Sequence, residues 1–139
     1  MAYEHLNDFI DAFAPLKDEL QRMHNTALIV MPKRYGPDRF FAFLAMGEPM
    51  ETQAVAFNFA EDTGYEQFMK DCDWFPFGMG VTIDEALAML DARCAKVPRD
   101  FEGFQAWWRK CDPIWHFFKN PQYRSAEVQR LRSHVLEPR

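Results

Sequence analysis

The stretch TALIVMPKRYGPDRFFAFLAM, Thr26 to Met46, constrains the fold more than any other part of the chain. Its flanks, TALIVM (Thr26–Met31) and RFFAFLAM (Arg39–Met46), are short apolar runs rich in β-branched or aromatic residues. Between them, PKRYGPD carries prolines and a glycine, residues that turn a chain. A third run, QAVAFNF (Gln53–Phe59), follows the equally short GEPMET and alternates, so that Val55, Phe57 and Phe59 share one face of a strand. Strands joined by such short loops suit an antiparallel meander. A sheet of three strands cannot bury its apolar face alone, so these side chains are expected to face helices.

Helical patterns surround the strands. Leu6, Phe9, Ile10, Phe13, Leu16, Leu20 and Met23 recur every three or four positions from about Tyr3 to His24. Pro15 interrupts that pattern and predicts a kink or a fresh start, with Asp18 and Glu19 well placed in a new first turn. Tyr65–Asp71 reads as a short helix. Thr82–Lys96 is clearer: TIDE is a capping-box sequence, and Ile83, Leu87, Leu90, Cys94 and Val97 form the buried stripe. Asp100 is placed to cap a helix ending at Cys111, and Asp112-Pro113 signals a second start that Asn120-Pro121 ends. Ser125 opens a last helix with Val128, Leu131 and Val135 on one side. The expected fold class is therefore α+β: an N-terminal helix kinked at Pro15, a three-stranded antiparallel meander, then four or five C-terminal helices packed on the sheet. At 139 residues the chain is expected to form a single compact domain, 1–139.

A chain of this length buries roughly two-thirds of its extended surface, so neither a metal nor a disulfide is needed to hold it. Cys72, Cys94 and Cys111 are odd in number and widely spaced, which reads as reduced thiols in a cytoplasmic protein. No run approaches the ~20 apolar residues of a membrane span. The opening MAYEHLNDFIDAF is acidic and amphipathic, so no secretory leader is expected.

The net charge of −5 conceals a polarity along the chain. From Phe40 to Ala92 ten acids face Lys70 alone, a net −9, while Arg93 to Arg139 carries a net +5. Aromatic residues are 16% of the chain, and DFEGFQAWWRKCDPIWHFF (Asp100–Phe118) concentrates them. On a helix from Asp100, Phe101, Phe104 and Trp108 share one side, and Trp107 lies about 100° away. In the next segment Ile114, Phe117 and Phe118 make a face that Trp115 and His116 avoid. Phe101, Phe104, Trp108, Ile114 and Phe118 are thus read as packing. Trp107, Trp115 and His116, beside Arg109 and Lys110, are candidates for a surface anchor, since tryptophan and arginine are enriched at interface hot spots.

Several motifs fail on chemistry. WFPFGMGVT (Trp74–Thr82) places Gly-Met-Gly before a helix, but it lacks the lysine of a phosphate loop, and Asp84 and Glu85 would repel an anion. It is read as a tight turn packed by rings. There is no Cys-x-x-Cys or His-x-x-x-His, so no metal and no cofactor are expected. Cys111 and His116 straddle Asp112-Pro113 and could meet across a turn there, yet their surroundings match no cysteine hydrolase signature. No catalytic residue is assigned.

The leading expectation is a non-enzymatic protein-binding module, an adaptor or inhibitor that docks an acidic surface on a basic protein partner. Trp107, Trp115, His116 and Arg109 would anchor it, with Glu48, Glu51, Glu61, Asp62 and Glu66 supplying the charge. In one version these acids imitate a phosphate backbone, as a mobile-element inhibitor of a nucleic-acid-handling or defence complex would. Two alternatives stand beside it. One is a small enzyme or ligand-binding domain with a pocket between sheet and aromatic helices, using His116, Tyr35 or Asp73. The other is RNA or DNA binding through Arg99, Arg109, Lys110, Lys119, Arg124, Arg130 and Arg132, which the pI near 5.3 disfavours.

Overall fold

The computed structural model describes residues 3–11, 26–46, 49–61, 64–119 and 127–136. They form helix α1 (4–11), strands β1 (Thr26–Pro32) and β2 (Phe40–Met46), helices α2 (Pro49–Glu61) and α3 (Glu66–Asp71), strand β3 (Phe77–Gly80), and helices α4 (Ile83–Cys94), α5 (Phe101–Lys119) and α6 (Val128–Leu136). The architecture is α+β, with an N-terminal helix, a three-stranded antiparallel sheet and several C-terminal helices. Pro15, Asp18 and Glu19 lie outside the described residues. No described helix is long and apolar enough to cross a membrane.

The sheet order is β1-β2-β3, and its register pairs Ile29 with Phe43 and Phe43 with Phe77. Alternation along the strands then sorts the side chains by bulk. Phe41, Phe43 and Phe77 lie on one face, where Phe59 of α2 meets them at centroid distances of 5.8, 5.4 and 5.0 Å. Trp115 and Phe118 of α5 close the same layer, 5.6 Å from Phe43 and 5.1 Å from Phe59 respectively. Ala42, Leu44, Gly78 and Gly80 occupy the other face, against α4. There the glycines are required by space. A Cβ on Gly78 would sit 2.1 Å from the Ala86 carbonyl oxygen, and one on Gly80 would sit 2.4 Å from the Glu85 Cβ. Gly-Met-Gly is thus neither a turn nor an anion loop. It is a strand thinned so that a helix backbone can lie on it.

The third strand is FGMG, and Gln53–Phe59 belongs to α2. Its apolar residues fit both periods, and burial decides for the helix. Val55, Ala56, Phe59 and Ala60 are buried at helical spacing, while Phe57 is 64% exposed. Helices α2 and α3 therefore lie in the connection between β2 and β3, while the sheet keeps the antiparallel order β1-β2-β3 expected of a meander.

Capping explains where α4 begins. The Thr82 hydroxyl accepts the Glu85 amide N–H at 3.1 Å, and the Glu85 carboxylate accepts the Val81 N–H at 2.9 Å, so the reciprocal bond falls one residue before the cap. α1 docks on this helix: the Asp91 carboxylate accepts the Leu6 N–H at 2.8 Å, and Leu6 and Phe9 are buried.

The predicted break at Asp112-Pro113 does not occur. α5 runs unbroken for 19 residues with Pro113 inside it. The proline leaves the Arg109 carbonyl without its helical donor, a cost of about 3 kcal/mol or more. Burial of Cys111, Ile114, Trp115 and Phe118 on both sides of it outweighs that, at roughly 1.5–3 kcal/mol for each large side chain. α6 packs through Val128 and Leu131, and Arg132 ties it to Asp71 of α3 at 2.5 Å.

Gly78→Ala is expected to destabilise the protein by about 1–3 kcal/mol in urea unfolding, because the added methyl meets helix backbone that cannot yield. An unchanged midpoint would contradict the close approach of α4.

Candidate functional site

The continuous α5 corrects the assignment of the indoles. With its phase carried through Pro113, the inward stripe is Phe104, Trp107, Cys111, Ile114, Trp115 and Phe118. Trp107 is 5% exposed and donates its indole N–H to the Trp74 carbonyl at 2.7 Å, beside Phe9 and Phe104. Trp115 is 8% exposed and lies between Phe43 and Phe75. Neither is a surface anchor. Phe101, read as packing, is at the margin instead, and Trp108 is half-buried.

The acids of the middle segment are likewise engaged within the fold. Glu66 is buried against Lys33, 2.6 Å away, and the Lys33 ammonium also donates to the Tyr65 hydroxyl at 3.1 Å. Glu61 lies 3.6 Å from Arg34, and Asp73 lies 2.9 Å from Lys96. The Arg132 and Gln67 hydrogen bonds hold the Asp71 carboxyl below its ordinary range, as Lys96 does for Asp73. Glu48, Asp62 and the side chain of Glu51 lie outside the described residues. Glu61 and Glu66 therefore do not belong to a free acidic face, because bases outside the segment, Lys33 and Arg34 of the β1–β2 connection, fold back onto them.

His116 and Arg109 remain on the outer side of α5, and there the structure provides a concavity. Two hollows of about 210 and 460 Å³ run between α5 and α6 and meet at Pro113 and His134. Trp74, Arg109 and Lys110 line the smaller one, and His116, Phe117 and Arg130 line the larger, with Glu127 at its wall. The Lys110 ammonium lies 4.5 Å above the Trp74 ring. His116 Nε2 is 3.4 Å from the Asp112 carboxylate one turn earlier. Arg109, Lys110, His116, Arg130 and His134 are all exposed. Among the described residues, Arg109, Lys110 and Arg130 make no ion pair. Sequence reasoning found Arg109, Lys110, His116 and Arg130 but not Trp74, Pro113 or His134. The fold brings these together from three elements, and nothing in their spacing announces it.

Other parts of the nucleic-acid alternative disperse. Arg99 stacks over Phe9 at 5.6 Å, Arg132 is held by Asp71, and Arg124 lies outside the described residues. The space expected to form a pocket between sheet and helices is filled by Phe43, Phe59, Phe77, Trp115 and Phe118. Tyr35 and Asp73 do not line the groove.

Covalent chemistry finds no support in the thiols. Cys111 is fully buried and His116 exposed, five residues further along one helix and so about 140° around it. Burial pushes the Cys72 and Cys94 thiols up to about 12 and raises that of Cys111 well above the ordinary range. No group of three or more His, Cys, Asp or Glu among the described residues is arranged to hold a metal ion.

The native protein is expected to leave its thiols unmodified by a disulfide reagent at pH 8 and to expose them together in denaturant; rapid native labelling would contradict their burial. Lys33→Met is expected to cost about 3–5 kcal/mol in chemical unfolding, since it strands the Glu66 carboxylate, and Lys33→Met/Glu66→Leu to recover part of the loss. A double variant less stable than Lys33→Met would contradict this. No protein-family model, curated protein or solved structure matches the chain.

Proposed function

We propose that this protein is a non-enzymatic binding domain that takes an anionic partner in the α5–α6 groove. The reading is supported by one observation above all. Exposed Arg109, Lys110 and Arg130 line two adjoining hollows that share Pro113 and His134, with His116 beside them, and have no ion-pair partner among the described residues. Several bases elsewhere are matched: Lys33, Arg34, Lys70, Lys96 and Arg132 each face a carboxylate. A concave surface where bases outnumber acids attracts opposite charge, even on a molecule of net −5 and with Glu127 on its wall.

Binding fits the groove better than catalysis. Its imidazoles could move protons, but the thiols are buried away from it and no described lining residue is a nucleophile placed beside a base. The polarity is opposite to that expected from the acidic middle of the sequence, because the charges that line this groove are mostly basic.

The protein is expected to be retained on a heparin matrix at low salt and released as the Debye length falls below about 8 Å. Arg109→Glu/Arg130→Glu, at exposed positions, is expected to abolish retention without lowering the thermal midpoint. Retention equal to that of the unaltered protein would contradict the groove as the binding surface.

A further inference from the structure

Resting on the reading of the groove as an anion site, we infer that its partner is a short acidic segment of another protein, an extended run of Asp or Glu, and not a nucleic acid strand. The size of the groove is the first argument. Arg109 to His116 along α5 spans about 10 Å, and Arg130 to His134 along α6 about 6 Å. An extended peptide rises about 3.3 Å per residue, so three or four residues fill the groove. Carboxylates at alternate positions of such a peptide lie on one side, about 7 Å apart, close to the one-turn separation of Arg130 and His134. The three cations and two imidazoles offer donors to two or three carboxylates, and guanidinium–carboxylate pairs are the strongest of these contacts.

The rings supply the second argument. Single-stranded nucleic acid is held by bases stacking on open aromatic faces as well as by phosphate contacts. Here Trp107 and Trp115 are enclosed. The Trp74 ring carries the Lys110 ammonium at 4.5 Å, and Phe117 packs edge-on against Phe118 at 4.8 Å. Those rings contribute apolar walls, suited to the methylene groups of glutamate side chains, more than platforms for bases.

Third, the positive surface is short. Glu127 lines the groove and Asp112 stands beside His116. A nucleic acid strand continues at constant charge beyond any site, so on this chain it would run onto carboxylates. A short acidic segment with neutral flanks brings fewer charges past Glu127 and Asp112 than a strand does, so these acids favour it over nucleic acid.

Fluorescence anisotropy on the full chain decides between them. The probes are a labelled hexaglutamate peptide with Gly-Ser flanks and a labelled oligouridylate of seven nucleotides, each carrying six equivalent charges. The peptide is expected to bind at least tenfold more tightly than the oligouridylate, with affinity falling tenfold or more in Arg109→Glu/Arg130→Glu and weakening as salt is raised. Oligouridylate binding as tightly as the peptide, and equally lost in that variant, would overturn the partner class and leave the groove standing. Failure of both probes at low salt would overturn the groove itself. Peptide binding that the double variant does not weaken would place the site elsewhere and overturn the inference.

Discussion

Everything in this fold depends on the ring layer between the sheet and helices α2 and α5. Phe59 is at its centre, within 6 Å of Phe41, Phe43, Tyr65, Phe77 and Phe118. Buried aromatic side chains remove more apolar surface from water than any others, and edge-on or tilted contacts add to that burial. The layer needs bulk on one face of β2 and β3 only. The opposite face is then free to thin down to Ala42, Gly78 and Gly80, so that α4 lies almost on the strands.

The same layer determines what α5 can offer a partner. Once Phe104, Trp107, Ile114, Trp115 and Phe118 are committed inward, the helix phase leaves Arg109, Lys110 and His116 outside. α6 settles beside them by burying Val128 and Leu131 and by the Arg132–Asp71 ion pair. Because that carboxyl is held below its ordinary range, the ion pair stabilises α6 above the unfolded carboxylate range. The stabilisation is lost as pH falls through the lowered folded value. The groove is therefore a by-product of core packing, and the proposed site draws on the charges that line it.

Much of this was legible in the sequence. Thr26–Met31 and Arg39–Met46 declare the hairpin, and TIDE declares the start of α4. The Gln53–Phe59 run misleads because Val55, Phe57 and Phe59 satisfy a period of two, while Val55, Ala56, Phe59 and Ala60 satisfy the helical period as well. Only the need for a second layer over the sheet selects between them. Strand β3 is hidden because glycine is a poor strand former, and its presence reports a close approach invisible from one segment. Pro113 decides the orientation of the last turns of α5. Treated as a break, it resets the phase of the following turn and turns Trp115 outward. Left inside one helix, it preserves the stripe that buries both indoles. The acids misled for another reason: their partners, Lys33, Arg34, Lys96 and Arg132, come from other parts of the chain, and net charge by segment says nothing of pairing in space.

The fold pairs Glu61, Glu66, Asp71 and Asp73, encloses Trp107 and Trp115, and leaves Arg109, Lys110 and Arg130 along the α5–α6 groove, the proposed recognition surface. Backbone amide shifts followed while hexaglutamate is added to isotope-labelled protein test it most directly. The account predicts shifts confined to the 109–117 and 127–135 segments and to Trp74. Shifts centred instead on Tyr35, Phe57 and Glu61, with the α5–α6 groove unmoved, would contradict it.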